Sequence, residues 1–305
     1  MTSPKPRITI GIPVYNGEKF LPECLECLAG QTSREFTVLI MDNASTDRTA
    51  EIARDFAARD PRFKLLRQKQ NVGARQNFTD VLESSDTEYF AWRAYDDLCD
   101  ANWIETLAGV LDRNPWASLA AGKVVGVKLD GRMEVNSAGP PASPPQTPAE
   151  IRALALSIVP SWYYGLYRRE EIRRVYARCR ELFGYAWSLD ILVVLAFILN
   201  RALAGTDATS FRYRATDFSQ SYLRPNHYVD SWAMWRAFHR AATALLHESR
   251  LNPTEQRALR LTMFRIANQR SEKPRRIIRG ALGAWLLGRD GRVRRGPLVR
   301  VAASR

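Results

Sequence analysis

Four carboxylates, Asp42, Asp96, Asp97 and Asp190, each close or open an apolar run, the placement an enzyme needs to hold charge beside a dry wall. Asp42 ends the run Phe36 to Asp42, where it could accept the imide N–H of a uracil or thymine ring. The adjoining stretch, Asn43-Ala44-Ser45-Thr46-Asp47, is equally the composition of a turn that caps the next helix. Asp96 and Asp97 come just after the aromatic run Tyr89 to Arg93. Adjacent carboxylates repel unless a cation lies near them, and oxygen ligands select Mg or Mn, ions that also bind diphosphate oxygens. An isolated Asp pair is also a common helix cap. Asp190 opens the apolar stretch Ile191 to Leu199. A carboxylate against a low-dielectric wall gains proton affinity and can act as a general base, and the same residue could serve only as an N-cap.

These residues need a scaffold that brings them to one edge. From Arg7 to about Leu129, short β-branched runs (Ile8 to Pro13, Phe36 to Asp42, Phe63 to Arg67, Tyr89 to Arg93) alternate with helix-like segments. The alternation predicts an α/β fold of βαβ units around a mainly parallel sheet. Pro22 suits the first turn of one helix, with Leu21, Leu25 and Leu28 as its apolar stripe; a second begins after Asp47 and turns Ile52, Ala53 and Phe56 inward. Ligands of open α/β sheets sit beyond the carboxyl ends of the strands. The loops there are polar: Tyr15-Asn16-Gly17, Asp42 to Asp47, Asn71-Val72-Gly73 and Asp96-Asp97.

Gly139 to Pro148 holds five prolines in ten residues and is expected as an exposed connector or lid. Beyond it come an aromatic patch (Trp162, Tyr163, Tyr164, Tyr167), readable as a sugar or lipid platform or as plain core, then a strand-like Phe211 to Arg214 and a mostly helical C-terminus. Cys24 and Cys27 form a C-x-x-C on a helix with no second Cys or His pair nearby, which assigns them to packing.

Taken in order, the pieces resemble the inverting family 2 glycosyltransferases of the GT-A fold, over roughly residues 7 to 221. The resemblance rests on Ile12-Pro13-Val14-Tyr15-Asn16, on the loop from Asp42 through Ser45 to Asp47 and Thr49, on Asn71-Val72-Gly73 with Asn77, and on Tyr95-Asp96-Asp97. It implies a Rossmann-like sheet flanked by helices, with nucleotide-sugar binding at about 7–130, an acceptor side at about 150–221 and a helical region over 222–305. It implies that Pro13, Tyr15, Asn16, Asp42, Asn43, Ser45, Gly73, Arg75, Asp96 and Arg214 line the nucleotide-sugar site, that Asp97 with Asp96 holds Mn or Mg, and that Asp190 is the catalytic base. The donor implied is a nucleoside-diphosphate sugar, UDP- or dTDP-linked by the reading of Asp42, and the acceptor a saccharide or lipid-linked hydroxyl. Two positions depart from the family pattern. Ala94 stands where relatives often carry a further acid, and Thr216, with Asp217 next to it, stands at the histidine of the element matched by Phe211 to Arg214 and Ser219-Gln220-Ser221.

The chain has 305 residues and a net charge of +13. Eleven Lys or Arg against two acids fall within residues 270–305, so the basicity is mainly a tail property and argues against a nucleic-acid-binding protein. From Lys273 onward basic residues alternate with Ile277, Ile278, Leu282, Trp285, Leu286 and Leu287. That is either a peripheral membrane contact or a helix packed on the catalytic domain. Four cysteines give no disulfide framework, Met1 to Arg7 lacks a secretory apolar segment, and no apolar run approaches the roughly 20 residues that span a bilayer, so a cytoplasmic protein is expected. Nucleotidyl transfer uses similar groups but wants a Gly-rich loop with a lysine, which Gly11 to Lys19 lacks; an inactive nucleotide-sugar-binding relative is the other alternative.

Overall fold

In a computed structural model of the chain, residues 6–128, 131–214, 227–270 and 277–282 are described. The first four apolar runs become β1 (Ile8–Val14), β2 (Phe36–Asp42), β3 (Phe63–Arg67) and β4 (Tyr89–Trp92), parallel to one another in the order β3-β2-β1-β4. Every residue of β1, β2 and β4 is buried. Strands covered on both faces are apolar along most of their length, with Thr9, Thr37 and Asp42 the buried polar residues in these three, which is why their ends are readable to within a residue. The register sets Val14 opposite Asp42 and Asp42 opposite Arg67, so the polar loops leave the sheet side by side.

The connecting helices are α1 (Leu21–Ala29), α2 (Thr49–Arg59) and α3 (Ala74–Glu83); the short strand β5 (Leu98–Cys99) and α4 (Trp103–Arg113) come after β4. α1 carries Pro22 in its first turn and buries Leu21, Cys24, Leu25 and Leu28. On α2, Ala53 and Phe56 are buried and Ile52 is half-buried against the core. Cys27 Sγ lies 3.8 Å from Cys99 Sγ, and all four cysteines are free thiols.

The sheet continues through strands that the sequence did not single out. They are β6 (Leu119–Val127), β7 (Met133–Ser137) and β8 (Leu166–Arg168); Phe211 to Arg214 proves to be the end of a longer strand, β9 (Leu203–Arg214). The full order is β3-β2-β1-β4-β8-β6-β9-β5, with β7 on the far part of β6. Three-residue β8 is antiparallel to both β4 and β6, and β6 then runs parallel to β9. This is the α/β arrangement expected, with its parallel centre extended by a mixed flank.

The proline-rich connector is exposed over much of its length, as expected, with Pro141, Ala142, Ser143, Gln146 and Thr147 at the surface, but it is also tied down. Pro140 and Pro145 are buried, Gly205 N donates to Pro141 O at 2.9 Å, and Gly139 N donates to the Asp207 carboxylate at 2.7 Å. The segment is therefore a fixed flank of β9, because its prolines have apolar surface to bury even though they cannot join a ladder. The aromatic patch is core: Trp162, Tyr163 and Tyr167 are buried, and Tyr163 stacks on Trp92 at 4.9 Å.

The chain forms two compact units that do not follow chain order. The sheet unit takes the described residues up to Pro145, Val159–Ala177 and the stretch from Arg201 through β9. The helical unit takes Gln146–Ile158, Arg178–Asn200 and the described residues from 227 onward. It contains α5 (Pro148–Leu156), the wholly apolar-packed α7 (Leu189–Leu199), α8 (Tyr228–Glu248) and α9 (Pro253–Arg270), while α6 (Arg169–Leu182) spans the chain between the two. Among the described residues no helix is long and apolar enough to cross a membrane. Thr216, Asp217, Ser219 to Ser221 and most of the basic tail, Trp285, Leu286 and Leu287 included, lie outside the described residues.

The close approach of Gly205 to the connector gives a stability prediction. A Cβ there would stand 1.8 Å from Pro140 O, whereas one at Gly184 would meet nothing within 4 Å. Gly205→Ala should lower the thermal midpoint by roughly 5 °C or more, while Gly184→Ala should leave it within about 2 °C, both read by circular dichroism.

Candidate active site

The carboxyl ends of β1 and β2 are tied together by their own loops. Asn16 N donates to Ser45 Oγ at 2.9 Å, Thr46 N donates to Asn16 Oδ1 at 2.9 Å, and Ser45 N donates to Asp42 Oδ1 at 3.0 Å. The third loop joins through amides: Asn43 Nδ2 donates to Asn71 Oδ1 at 3.0 Å and Asn43 Oδ1 accepts from Val72 N at 2.9 Å. Buried Asn77 on α3 reaches Met41 O at 2.9 Å. Asn16 (φ 52°) and Ala44 (φ 59°) both take left-handed backbone, which an Ala adopts only at a cost of about 1 kcal/mol when its surroundings fix it.

Pro13, Tyr15, Asn16, Asp42, Asn43, Ser45 and Gly73 therefore belong to one polar edge. Pro13 is buried within β1, and Tyr15 and Asn16 are exposed. Gly73 precedes α3 with φ 81° and open space where a side chain would stand. Arg75 lies in the first turn of α3, half-buried. Asp42 has no exposed surface: besides the Ser45 N–H it faces Arg67 Nε, 3.0 Å from Oδ2. The Asp47 carboxylate serves structure, accepting from Glu18 N and Thr49 N.

Asp96 and Asp97 lie in a turn just beyond β4, where Asp97 N donates to Ala94 O at 3.2 Å. The turn rests on α1 through Cys24 Sγ, 3.6 Å from Ala94 O, and on the first loop through the Tyr95 ring, which Gly17 backs onto. Arg214 arrives at the end of β9, donating its backbone N–H to Asp97 Oδ1 at 2.9 Å. Its guanidinium lies over the Phe20 ring and pairs with exposed Glu23 at 2.8 Å.

The acidic pair is electrostatically uncomfortable. Burial pushes Asp96 up from the ordinary carboxylate range. Burial and then the Asp96 charge push Asp97 up to about 8, against the lowering effect of the Arg214 N–H and of the Arg93 and Arg214 charges. Among the described residues no group of three or more His, Cys, Asp or Glu side chains surrounds a metal position. What the chain offers a divalent ion is two hard carboxylates in excess of nearby positive charge, a set that suits Mg or Mn completed by diphosphate and water oxygens.

Two residues that sequence reasoning passed over sit beside this pair. Arg93, only 1% exposed, is held between the rings of Trp103 at 4.4 Å and Phe211 at 4.8 Å. Its one signal in the sequence was a cation closing an apolar strand four residues before Asp97. Asp100 accepts from Ser210 N and Ser210 Oγ, each at 2.7 Å, and from Arg212, and so pins β9 next to the turn.

Asp190 lies in the helical unit, in the first turn of α7 behind left-handed Ser188 (φ 68°), and no side chain caps that helix. Burial pushes its carboxyl up to about 6, with the helix N-terminus and Arg270 pulling the other way. The direction agrees with the gain in proton affinity expected beside an apolar wall.

The glycosyltransferase GlyG of Streptococcus pneumoniae is 34% identical over 100 residues, 33% of this chain and 33% of that protein. The putative glycosyltransferase EpsH of Bacillus subtilis is 31% identical over 103 residues, 33% of this chain and 29% of that protein. The matched stretch thus spans about a third of these curated relatives. Among solved structures, S. aureus TarS in complex with UDP-GlcNAc superposes with a TM-score of 0.62 at 15% identity, covering 86% of this chain and 73% of that one. The mannosyltransferase PcManGT from Pyrobaculum calidifontis, in complex with GDP-Man and Mn2+, gives 0.52 at 15% identity, covering 93% and 79%. At such identities the likeness is one of fold, the GT-A arrangement. The family model for glycosyl transferase family 2 matches residues 9–174, more than half of the chain, and the chain belongs to that family.

Proposed function

We propose that this glycosyltransferase moves a sugar from a UDP- or dTDP-linked donor to a saccharide or lipid-linked hydroxyl with inversion, in the synthesis of a cell-surface polysaccharide or glycolipid. The observation that carries the reading is the adjacent pair of half-buried Asp96 and buried Asp97 at the carboxyl edge of the sheet, with the Arg214 N–H on the Asp97 carboxylate. Adjacent like charges withdrawn from water are costly unless a bound partner compensates them, and a divalent cation would do so.

In this mechanism Pro13, Tyr15, Asn16, Asn43 and Ser45 shape the nucleotide pocket, and Gly73 lets backbone approach the ligand. Asp42 accepts the imide N–H of the base after Arg67, which is half exposed, moves off its outer oxygen. Asp96 and Asp97 would hold Mn or Mg, which would supply positive charge for the departing diphosphate. Arg214 leaves Glu23 for a phosphate oxygen, and Arg75 supplies further positive charge. Asp190 takes the proton of the acceptor hydroxyl, whose oxygen attacks the anomeric carbon opposite the diphosphate in one displacement. On this reading residues of about 7–130 carry the donor and residues of about 150–221 the acceptor.

Two measurements test the reading. Thermal-shift screening should single out one nucleoside diphosphate family with its sugars, stabilising more with Mn than without. Asp97→Ala should lose the Mn-dependent part of that shift and about a thousand-fold in turnover; a shift and a rate indifferent to chelation would remove the metal from the site. For the base, only the ionised carboxylate can accept a proton, so kcat should fall about ten-fold per pH unit below about 6 and level off above it. Asp190→Asn should abolish that limb together with turnover; near-normal rates in the variant would exclude Asp190.

A further inference from the structure

The helical unit carries a surface that the donor and acceptor reading does not use. On α8 the rings of Trp232, Trp235 and His239 stack in a row, Trp232 to Trp235 at 5.3 Å and Trp235 to His239 at 5.5 Å. From α9, Phe264 sets its ring edge-on against both Trp235 and His239, and Asn268 accepts from Trp235 Nε1 at 3.0 Å. The two helices thus share one outward face with an aromatic centre. Phe264 remains 41% exposed, and Leu261, one helical turn before it, is 74% exposed. Such a large apolar side chain in water, next to a second one, marks an interaction surface more often than an isolated apolar residue does.

The charge around that centre is of one sign. Arg236 and Arg240 flank it on α8, and Arg257, Arg260 and Arg265 flank it on α9; all five are exposed. No acid occurs from Ser231 to His247 or from Gln256 to Arg270. Several surface arginines elsewhere are paired with acids: on α6, Arg173 pairs with Glu83 at 2.7 Å, Arg174 with Glu171 at 2.5 Å, and Arg178 with Glu248 at 2.5 Å. Among the described residues, none of the five arginines on the α8–α9 face has such a partner.

We propose that this α8–α9 face docks on an anionic phospholipid surface. The guanidinium groups meet lipid phosphates while Leu261, Phe264 and the edge of the tryptophan row enter the headgroup layer. Unpaired arginines around exposed apolar side chains match a layer that presents phosphate outside and hydrocarbon beneath. A purely polar polyanion would leave Leu261 and Phe264 in water. The proposal does not depend on the donor reading, since lipid binding needs neither nucleotide nor metal.

Flotation of the full chain with vesicles tests it without any donor present. Binding should be strong to vesicles of phosphatidylcholine with phosphatidylglycerol, weak to phosphatidylcholine alone, and diminished by salt. Arg257→Gln with Arg265→Gln should weaken binding about thirty-fold, and Leu261→Gln about ten-fold. Both variants alter exposed side chains, so an unchanged thermal midpoint confirms that the fold is intact. Absence of vesicle binding would overturn the proposal. Binding that these substitutions leave undiminished would overturn it equally, assigning the contact to the basic tail. Retention on an RNA homopolymer without binding to vesicles would replace the lipid surface with nucleic acid.

Discussion

Two neighbouring carboxylates, Asp97 buried and Asp96 half-buried, are the constraint around which the ligand edge is built. Burial and mutual repulsion both disfavour their ionised forms, so the fold brings positive and donor groups to them from several elements. Arg93 arrives from beneath, closed between two aromatic rings that deny it water and keep its charge near the turn. Arg214 contributes a backbone N–H, a donor whose direction is fixed by the β9 ladder rather than by a flexible side chain. These contributions do not bring Asp97 back to the ordinary carboxylate range.

The remainder of the edge is fixed in advance. Hydrogen bonds between the loops after β1, β2 and β3 hold Asn16, Asn43 and Ser45 in place, and the two left-handed residues, Asn16 and Ala44, show that this network outweighs local backbone preference. Elements below the edge are buried strands and an apolar-packed helix, so neither loop can drift without breaking a ladder. A ligand meeting such an edge loses little free energy to ordering it.

Much of this is legible in the sequence itself. Parallel strands covered on both faces are mostly apolar, so β1, β2 and β4 appear as nearly unbroken runs, and the polar residues immediately after each run mark the edge where ligands of such sheets sit. Pairing between distant segments leaves no such local mark. Nothing in Leu166-Tyr167-Arg168 announces a strand that bridges β4 and β6, and nothing in the connector announces that Pro140 will be buried against Gly205. The same limit hid the partners of the site residues. Asp42 could be placed at the end of β2 from its sequence, but its contact with Arg67 required the β2–β3 register, and Arg93 became notable only once Trp103 and Phe211 closed around it.

The pairing of β6 with β9 has a consequence for how the protein is made. The β3-β2-β1-β4 portion needs only the first 92 residues, all close in sequence, whereas β6 aligns Leu119 with Leu203 and Val127 with Arg214. On a ribosome that delivers the N-terminus first, the sheet must therefore wait with an unfinished margin while more than eighty further residues emerge. Throughout that interval Asp97 lacks the backbone N–H of Arg214. The acidic turn is synthesised long before the β9 backbone that completes it.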